Sequence, residues 1–318
     1  MKNRTTIVLV NYHSESHIKR IISNLSQDSF NYVLIDNSGT LDLDSEEIDF
    51  QLVSPGRNVG FGAAVNLGFK EVDTEYVLFL NPDMKIEPSV LYRLQNLGDE
   101  LVEFGILTPI VLEEKHQSKF LSAGKLPTLW SVFCHFSFLS RVFSSISFFS
   151  GLHMMRPKPN ASKMLKVDWC SGAIMFMRSS VFKEVGGFSE EWFMYSEDLE
   201  LCHRLKSQGL PVLIDTESEV THIGQGSDES GVNEDLSKMW LNNFVDFYYT
   251  HMTSKNRYLT LAMTSLLASG FLARCALFSL AKLFSPKESH TIKDFYILRS
   301  WEHFTIAAVN FRGLLRRK

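Results

Sequence analysis

Cysteine is scarce and scattered. Cys134, Cys170, Cys202 and Cys275 are the only four, and no two form a CxxC pair. Neither a disulfide framework nor a zinc site is therefore indicated. The glycine-rich run at 60–62 is not GxGxxG, and no Lys-Ser or Lys-Thr follows it, so neither the dinucleotide fingerprint nor a P-loop applies. No small-residue cleavage site follows Met1-Lys2-Asn3-Arg4. A signal peptide is not expected, and the reducing cytoplasm is the default compartment. Between Lys115 and Val167 there is no Asp or Glu at all.

What is present describes a folded protein with an uneven charge. At 45% hydrophobic and 21% charged residues, global disorder is excluded. The formal charge of −4 divides sharply: residues 255–318 hold 11 Lys/Arg against 3 Asp/Glu, a local +8, leaving −12 on residues 1–254. A basic tail on an acidic body points to an anionic surface as partner. With 318 residues the chain can hold one large domain plus an appendage.

The N-terminal half alternates strands and helices. Thr6 to Val10 is a β-branched run ending at Asn11-Tyr12; residues 14–25 place Ile18, Ile21, Ile22 and Leu25 at helical spacing behind Ser14. Strands follow at 32–35, ending in Asp36-Asn37-Ser38-Gly39, and at 50–53, before Arg57-Asn58-Val59-Gly60-Phe61-Gly62. A helix over 63–69 leads to the apolar run Tyr76 to Leu80, which breaks at Asn81-Pro82-Asp83. This alternation predicts a mostly parallel sheet flanked by helices, with ligands bound outside the carboxyl ends of the strands. Gly60 and Gly62 before a helix suit close approach of backbone N–H groups to an anion, although a plain loop has the same composition. Asp83 suits a hard divalent cation on a diphosphate, or is simply solvated in an Asx-Pro turn. Asp36 has the same two readings, a hydrogen-bond acceptor for a pyrimidine or the start of a turn.

A second block runs from Val167 to Asp198. Trp169-Cys170-Ser171-Gly172-Ala173 reads as a loop entering a buried strand over 174–178, and a helix over 179–185 closes at Gly186-Gly187. An aromatic loop over 188–195 precedes Ser196-Glu197-Asp198, which opens a helix with Leu199, Cys202 and Leu205 on one face. Ser196 as N-cap with acids in the first turn is ordinary helix-start chemistry. A helix start lined by aromatics also suits a positioned carboxylate base. A strand over 211–214 and Glu219-Val220-Thr221-His222 follow, then a loop with Gly224, Gly226 and Ser227.

In this order and spacing the motifs resemble the family 2 glycosyltransferases, inverting nucleotide-sugar enzymes of the GT-A fold, and within them the bacterial rhamnosyltransferase type. The resemblance covers about residues 5–230. It implies a hexosyltransferase that moves a sugar, L-rhamnose from dTDP-L-rhamnose, onto a saccharide or polyprenyl-diphosphate-linked acceptor in O-antigen, capsule or cell-wall synthesis. It implies donor binding by Asn11, Tyr12, Asp36, Arg57, Asn58, Gly60, Phe61 and Asn81. Asp83, the surviving acid of the family's DxD motif, would hold Mg²⁺ or Mn²⁺, and His222 would join that metal or the departing diphosphate. The motif is written Asn-Pro-Asp here, one carboxylate instead of two, which puts tight metal binding in doubt. Asp198 becomes the general base with Glu197 as runner-up, and Trp169, Gly172 and Ala173 shape the acceptor pocket. No nucleic acid is among the partners implied.

The expected division is a GT-A domain over 1–230 and a helical, basic, membrane-associated region over 231–318, peripheral to the cytoplasmic face of the inner membrane. Residues 129–149 carry seven aromatic rings and read either as a core helix hairpin or as a surface that meets lipid. The uncharged run Leu259 to Ala273 spans ~22 Å as a helix, short of a ~30 Å hydrocarbon core, and so reads as interfacial. Two rivals stand beside the transferase. A sugar-nucleotide pyrophosphorylase would want a Gly-rich, basic loop where Asn11-Tyr12-His13-Ser14 stands. A non-catalytic membrane-associated sugar-binding scaffold would tolerate loss of Asp83 or Asp198, and both are present.

Overall fold

A computed structural model of the chain describes residues 4–25, 30–43, 50–113, 121–155, 162–223, 234–286 and 290–316. In chain order the elements are β1 (Thr5–Asn11), α1 (Glu15–Leu25), β2 (Asn31–Asp36), β3 (Phe50–Val53), α2 (Phe61–Phe69), β4 (Tyr76–Leu80), β5 (Met84–Lys85), α3 (Pro88–Glu100), β6 (Ile106–Glu113), β7 (Ala123–Gly124), α4 (Leu129–Phe136) and α5 (Leu139–Val142). Then come β8 (Met164–Val167), β9 (Trp169–Cys170), β10 (Ile174–Arg178), α6 (Ser179–Glu184), α7 (Glu197–Ser207), β11 (Val212–His222), α8 (Glu234–Phe247), α9 (Arg257–Leu283) and α10 (His290–Arg316). The chain forms two compact units, Met1–Gly124 with Arg156–Glu229, and Lys125–Met155 with Ser230–Lys318. Against a division at 230, the second unit also takes in Lys125–Met155.

The first unit is built on a sheet of strand order β3-β2-β1-β4-β10-β6-β11-β5, with β8 also on β11. Every residue of β4 is buried, as are Ile7 to Leu9 of β1 and Val33 to Ile35 of β2. Strands buried on both faces read as continuous apolar runs, which is why they are visible in the sequence. α1 seals one side with Ile18, Ile21, Ile22 and Leu25. β3, β2, β1 and β4 run parallel, but β10 is antiparallel to both β4 and β6, so the sheet is mixed where a mostly parallel one is predicted. An apolar run such as Ile174-Met175-Phe176-Met177 has the same composition in either direction. Reversal has a functional consequence: Ile174 pairs with Leu80, so the turn before β10 lies at the carboxyl end of β4.

One strand departs from what composition predicts. β6 contains Pro109, which pairs with Asp215 where the β6–β11 register shifts. A proline is tolerated at such an irregularity because the ladder there asks for no N–H. Arg93 of α3 then pairs with the fully buried Asp215, at 2.9 Å from Nη2 to Oδ1.

In the second unit α9 and α10 pack along one another, and α4 packs on α9. Residues 129–149 form two short helices and a 3₁₀ turn at Ser147–Phe149 instead of a helix hairpin. α9 corrects the expected ~22 Å helix: at 27 residues it is about 40 Å long, and it runs through Arg274 and Lys282. Arginine is a good helix former, so the helix runs on through Arg274, whose guanidinium lies over the Phe136 ring, 4.5 Å from its centroid. Among the described residues α9 is the one helix long and apolar enough to cross a membrane.

Candidate active site

Because β1, β2 and β4 are parallel neighbours, their carboxyl ends share one edge of the sheet. Asn11 stands opposite Asp36 in register. The Asn11 amide, fully buried, donates to Asp36 Oδ1 at 3.0 Å and to Ser38 Oγ at 2.9 Å, and its oxygen accepts the Ser14 N–H. Asp36 Oδ1 also accepts from the Ser38 hydroxyl and the N–H groups of Ser38 and Gly39, and Oδ2 accepts from Leu41 N–H. Burial alone would raise the Asp36 pKa. Hydrogen bonds from Ser38, Leu41 and Asn11 outweigh it and hold the carboxyl at about 2. Asp36 thus starts a turn, as one of its two readings has it, and keeps acceptor capacity chiefly on Oδ2. Tyr12, next to Asn11 in sequence, is 55% exposed, with its ring 4.7 Å from that of His13.

The glycine loop is held by the aromatic loop. Asn58 Oδ1 accepts Gly60 N–H at 3.0 Å, Asn37 Nδ2 donates to Gly60 O at 3.0 Å, and Phe61 N–H reaches Phe193 O at 3.0 Å. Gly60 has φ 87° and ψ −179°, and a Cβ there would stand 2.1 Å from Phe193 O. Gly60→Ala should therefore destabilise the first unit by at least ~1–3 kcal/mol through backbone conformation, with the carbonyl clash added. A lowered Tm together with weakened donor binding checks this; an unchanged Tm would mean that the loops are not locked here. Asn66, not singled out by motif, accepts Phe188 N–H and donates to Phe188 O and Glu190, fastening α2 to the same loop. Its one signal is an amide inside an otherwise apolar helix. Arg57 is exposed.

The turn Ser171–Ala173 joins two more parts. Ala173 O accepts Asn81 N–H at 2.8 Å, which ties it to the end of β4. Gly172 N–H donates to Asp198 Oδ2 at 3.1 Å, which ties it to the start of α7. Trp169 is half-buried in β9. Ser196 is not the side-chain N-cap expected. Its side chain makes no cap bond, and Tyr195 and Ser196 both have positive φ, 69° and 78°. The left-handed pair turns the chain sharply into α7, where Asp198 meets the Gly172 turn and Glu197 lies beside Gly62. Two such residues in succession are strained backbone held by its surroundings.

Glu197 and Asp198 differ in a way that sorts their roles. Asp198 is half-buried and accepts two N–H bonds, from Gly172 and from Leu199 at 2.8 Å. Glu197 is 5% exposed, and its Oε2 is buried with no partner among the described residues. Burial raises both pKa values; for Glu197 burial and then the Asp198 charge push it up to about 8. The Asp198 charge is one of the causes that raise Glu197, so Glu197 is the later of the two to ionise, while the hydrogen bonds on Asp198 favour its anion. An acid whose pKa rises on folding binds more protons folded than unfolded, so its contribution to stability falls as pH climbs from about 4.5 towards 8. Glu197→Gln should therefore raise Tm at pH 8 more than at pH 5. Equal shifts at both values would remove the buried neutral acid.

Asp83 and His222 are 139 residues apart and meet through β5 and β11. His222 pairs with Met84, Ile223 N–H reaches Asp83 O, and His222 Nε2 stands 2.8 Å from Asp83 Oδ2. Asp83 Oδ1 is buried without a partner among the described residues. An orphaned carboxylate oxygen beside an imidazole fits a divalent cation, but no cluster of three or more His, Cys, Asp or Glu with metal-site spacing occurs among the described residues. The remaining ligands would have to come from a diphosphate and water. The Gly224, Gly226 and Ser227 loop lies outside the described residues.

Residues 6–186 match the model of Glycosyl transferase family 2. Rhamnosyltransferase WbbL of Escherichia coli K12 is 30% identical over 218 residues, 64% of this chain and 77% of that protein. The N-acetylglucosaminyl-diphospho-decaprenol L-rhamnosyltransferase of Mycobacterium tuberculosis is 27% identical over 234 residues, 68% of this chain and 75% of that protein. Among solved structures, the mannosyltransferase PcManGT of Pyrobaculum calidifontis, in complex with GDP-Man and Mn²⁺, has a TM-score of 0.54 at 12% identity, covering 98% of this chain and 88% of that one. That likeness concerns the fold alone, and the fold agrees with the strand-end site assembled above. The chain belongs to glycosyl transferase family 2, as a nucleotide-sugar-dependent glycosyltransferase similar to rhamnosyltransferases.

Proposed function

We propose that this transferase moves L-rhamnose from dTDP-L-rhamnose onto a polyprenyl-diphosphate-linked saccharide in cell-surface polysaccharide synthesis. What carries the sugar and acceptor is the similarity to two rhamnosyltransferases, one of them named for a diphospho-decaprenol acceptor. Donor contacts fall to the strand ends, with the Tyr12 ring and Asp36 Oδ2 towards the base, and Asn58, Gly60, Phe61 and Asn81 around the sugar diphosphate. Trp169 and the Gly172-Ala173 turn flank the acceptor.

The reaction is a single displacement. The acceptor hydroxyl attacks the anomeric carbon from the face opposite the diphosphate. Its proton passes to Asp198 as the bond from the anomeric carbon to the diphosphate oxygen breaks, and configuration inverts. Two backbone N–H groups fix the Asp198 carboxylate while leaving lone pairs for that proton. A neutral Glu197 keeps a second negative charge away from it. Asp83 and His222 would hold Mg²⁺ or Mn²⁺, which when bound supplies neutralising charge to the departing diphosphate.

The place of work is the cytoplasmic face of the inner membrane, held peripherally. The net +8 over residues 255–318 supports this, since each Lys or Arg near an anionic leaflet contributes about 1 kcal/mol. Incubating the full-length protein with dTDP-L-rhamnose and N-acetylglucosaminyl-diphospho-polyprenol should release dTDP and add one deoxyhexose to the lipid by mass. Preferred turnover of UDP- or GDP-sugars would overturn the donor. No turnover of any donor, with binding retained, would favour the scaffold reading.

A further inference from the structure

The outward side of α9 has the wrong composition for a helix that faces water. Along its 27 residues every exposed position is Tyr, Leu, Ala or Ser, and none is charged. These positions recur every three to four residues from Tyr258 through Leu272 to Leu283, so they form one stripe along the whole helix. Leu272, Leu277, Leu280 and Leu283 are 45%, 47%, 54% and 76% exposed. The exposed serines add no free donor to the stripe. Ser265, Ser269 and Ser279 each donate to the carbonyl four residues back, at 2.8–2.9 Å. The only charged residues of the helix, Arg257, Arg274 and Lys282, are half-buried. Arg274 donates to His135, Lys282 pairs with Asp294 of α10, and the Arg257 guanidinium lies over the Tyr258 ring.

The opposite side of α9 is packed. Met263, Leu267, Gly270 and Phe271 are buried, and a Cβ on Gly270 would stand 2.3 Å from the Phe136 ring of α4. A surface helix in water turns charged and polar residues outward, whereas α9 is apolar on both sides. A contiguous apolar stripe of this kind marks an interaction surface. Charge says what covers it. Residues 255–318 carry a net +8, which complements an anionic leaflet and which a second copy of this chain would repel. A protein interface would also exchange hydrogen bonds across the contact, about one per 100–200 Å². The stripe offers hardly any, because its serines are turned onto their own backbone. Lipid asks for none. With its inner side held against α4, the helix lies along a bilayer instead of crossing it.

We propose that the outward stripe of α9 is the membrane-docking face, lying along the bilayer with Leu272, Leu277, Leu280 and Leu283 among the acyl chains at the head-group boundary. This deepens the peripheral membrane placement proposed above and rests on it, but it is independent of which sugar is transferred. The test is flotation of the full-length protein, its basic tail intact, on vesicles of phosphatidylcholine mixed with phosphatidylglycerol, at low and at high salt. Leu272→Glu with Leu280→Glu should lower partition about tenfold or more at low salt. High salt screens the tail, so the partition that survives there belongs to the stripe and should vanish in this variant. Val102→Glu, at an exposed apolar position of the first unit, should change neither. Circular dichroism monitors folding; if the double variant unfolds, Leu283→Ser alone should still lower partition. Flotation that high salt abolishes and that the α9 substitutions leave unaltered overturns this face, while the membrane placement stands on the charged tail. A dimer, seen by light scattering, that the same substitutions dissociate without changing flotation would assign the stripe to a second copy and overturn the proposal. An equal loss in Val102→Glu would overturn it too. Absence of any flotation of the intact protein overturns both this face and the membrane placement.

Discussion

Asp198→Asn will lower turnover by ~10²-fold or more while donor affinity stays nearly unchanged. The amide keeps the size of the carboxylate, but its single oxygen can accept only one of the two N–H bonds, from Gly172 on Oδ2 or Leu199 on Oδ1. What it cannot do is take the acceptor proton, and that proton moves only in the transition state. The loss therefore belongs in kcat and kcat/KM, not in the dissociation constant of the donor. Glu197→Gln separates the neighbours. If Glu197 is neutral in the working enzyme, its amide is a close copy and most activity survives; an inactive Glu197→Gln beside an active Asp198→Asn would move the base to Glu197. The pH profile adds a second check. Burial raises the Asp198 pKa, and the base must be ionised, so kcat/KM should fall as pH drops through a value above the usual carboxylate range. That acid limb should persist in Glu197→Gln, because a neutral neighbour adds no charge to Asp198.

The parts of this site that the sequence shows are those made by one strand and its own turn. Asn11, Asp36 and the Asn81-Pro82-Asp83 break each follow a run of buried apolar residues, and an apolar run that stops at polar turn residues marks a strand end. The order and direction of the strands are less visible. Antiparallel β10 looks the same as a parallel strand, and β6 is obscured by Pro109 at its irregularity. Least visible are meetings across the chain. His222 reaches Asp83 through a ladder of only two residues on β5, too short to leave a periodic pattern. The lock on Gly60 comes from the backbone of Phe193, which has no side-chain signature. Ser196 misleads because Ser-Glu-Asp is the composition of a capped helix start, whereas here positive φ at Tyr195 and Ser196 aims the acids. The length of α9 is hidden because Arg274 ends the uncharged run but not the helix, arginine being itself a good helix former.

Asp83→Ala should reduce turnover on the order of 10²-fold, the scale seen when one group stabilising developing charge is removed. The folded structure itself gives the reason to expect function instead of stability here. Asp83 Oδ1 is buried and unpaired among the described residues, and an unsatisfied buried oxygen costs ~1–3 kcal/mol. Removing it should leave Tm nearly level, since the lost bond to His222 and the relieved oxygen act in opposite directions. Donor binding, in contrast, should weaken strongly in Mg²⁺ or Mn²⁺ and scarcely at all in chelator. A carboxylate that acts through a cation matters only when the cation is there. His222→Ala should weaken the same metal-dependent binding less, because an imidazole adds a ligand but no negative charge. Calorimetric titration of dTDP-L-rhamnose with and without divalent ion reads both effects. Donor affinity that is independent of metal in the native enzyme, and untouched by Asp83→Ala, would leave Asp83 and His222 as an ordinary hydrogen-bonded pair at the end of β11.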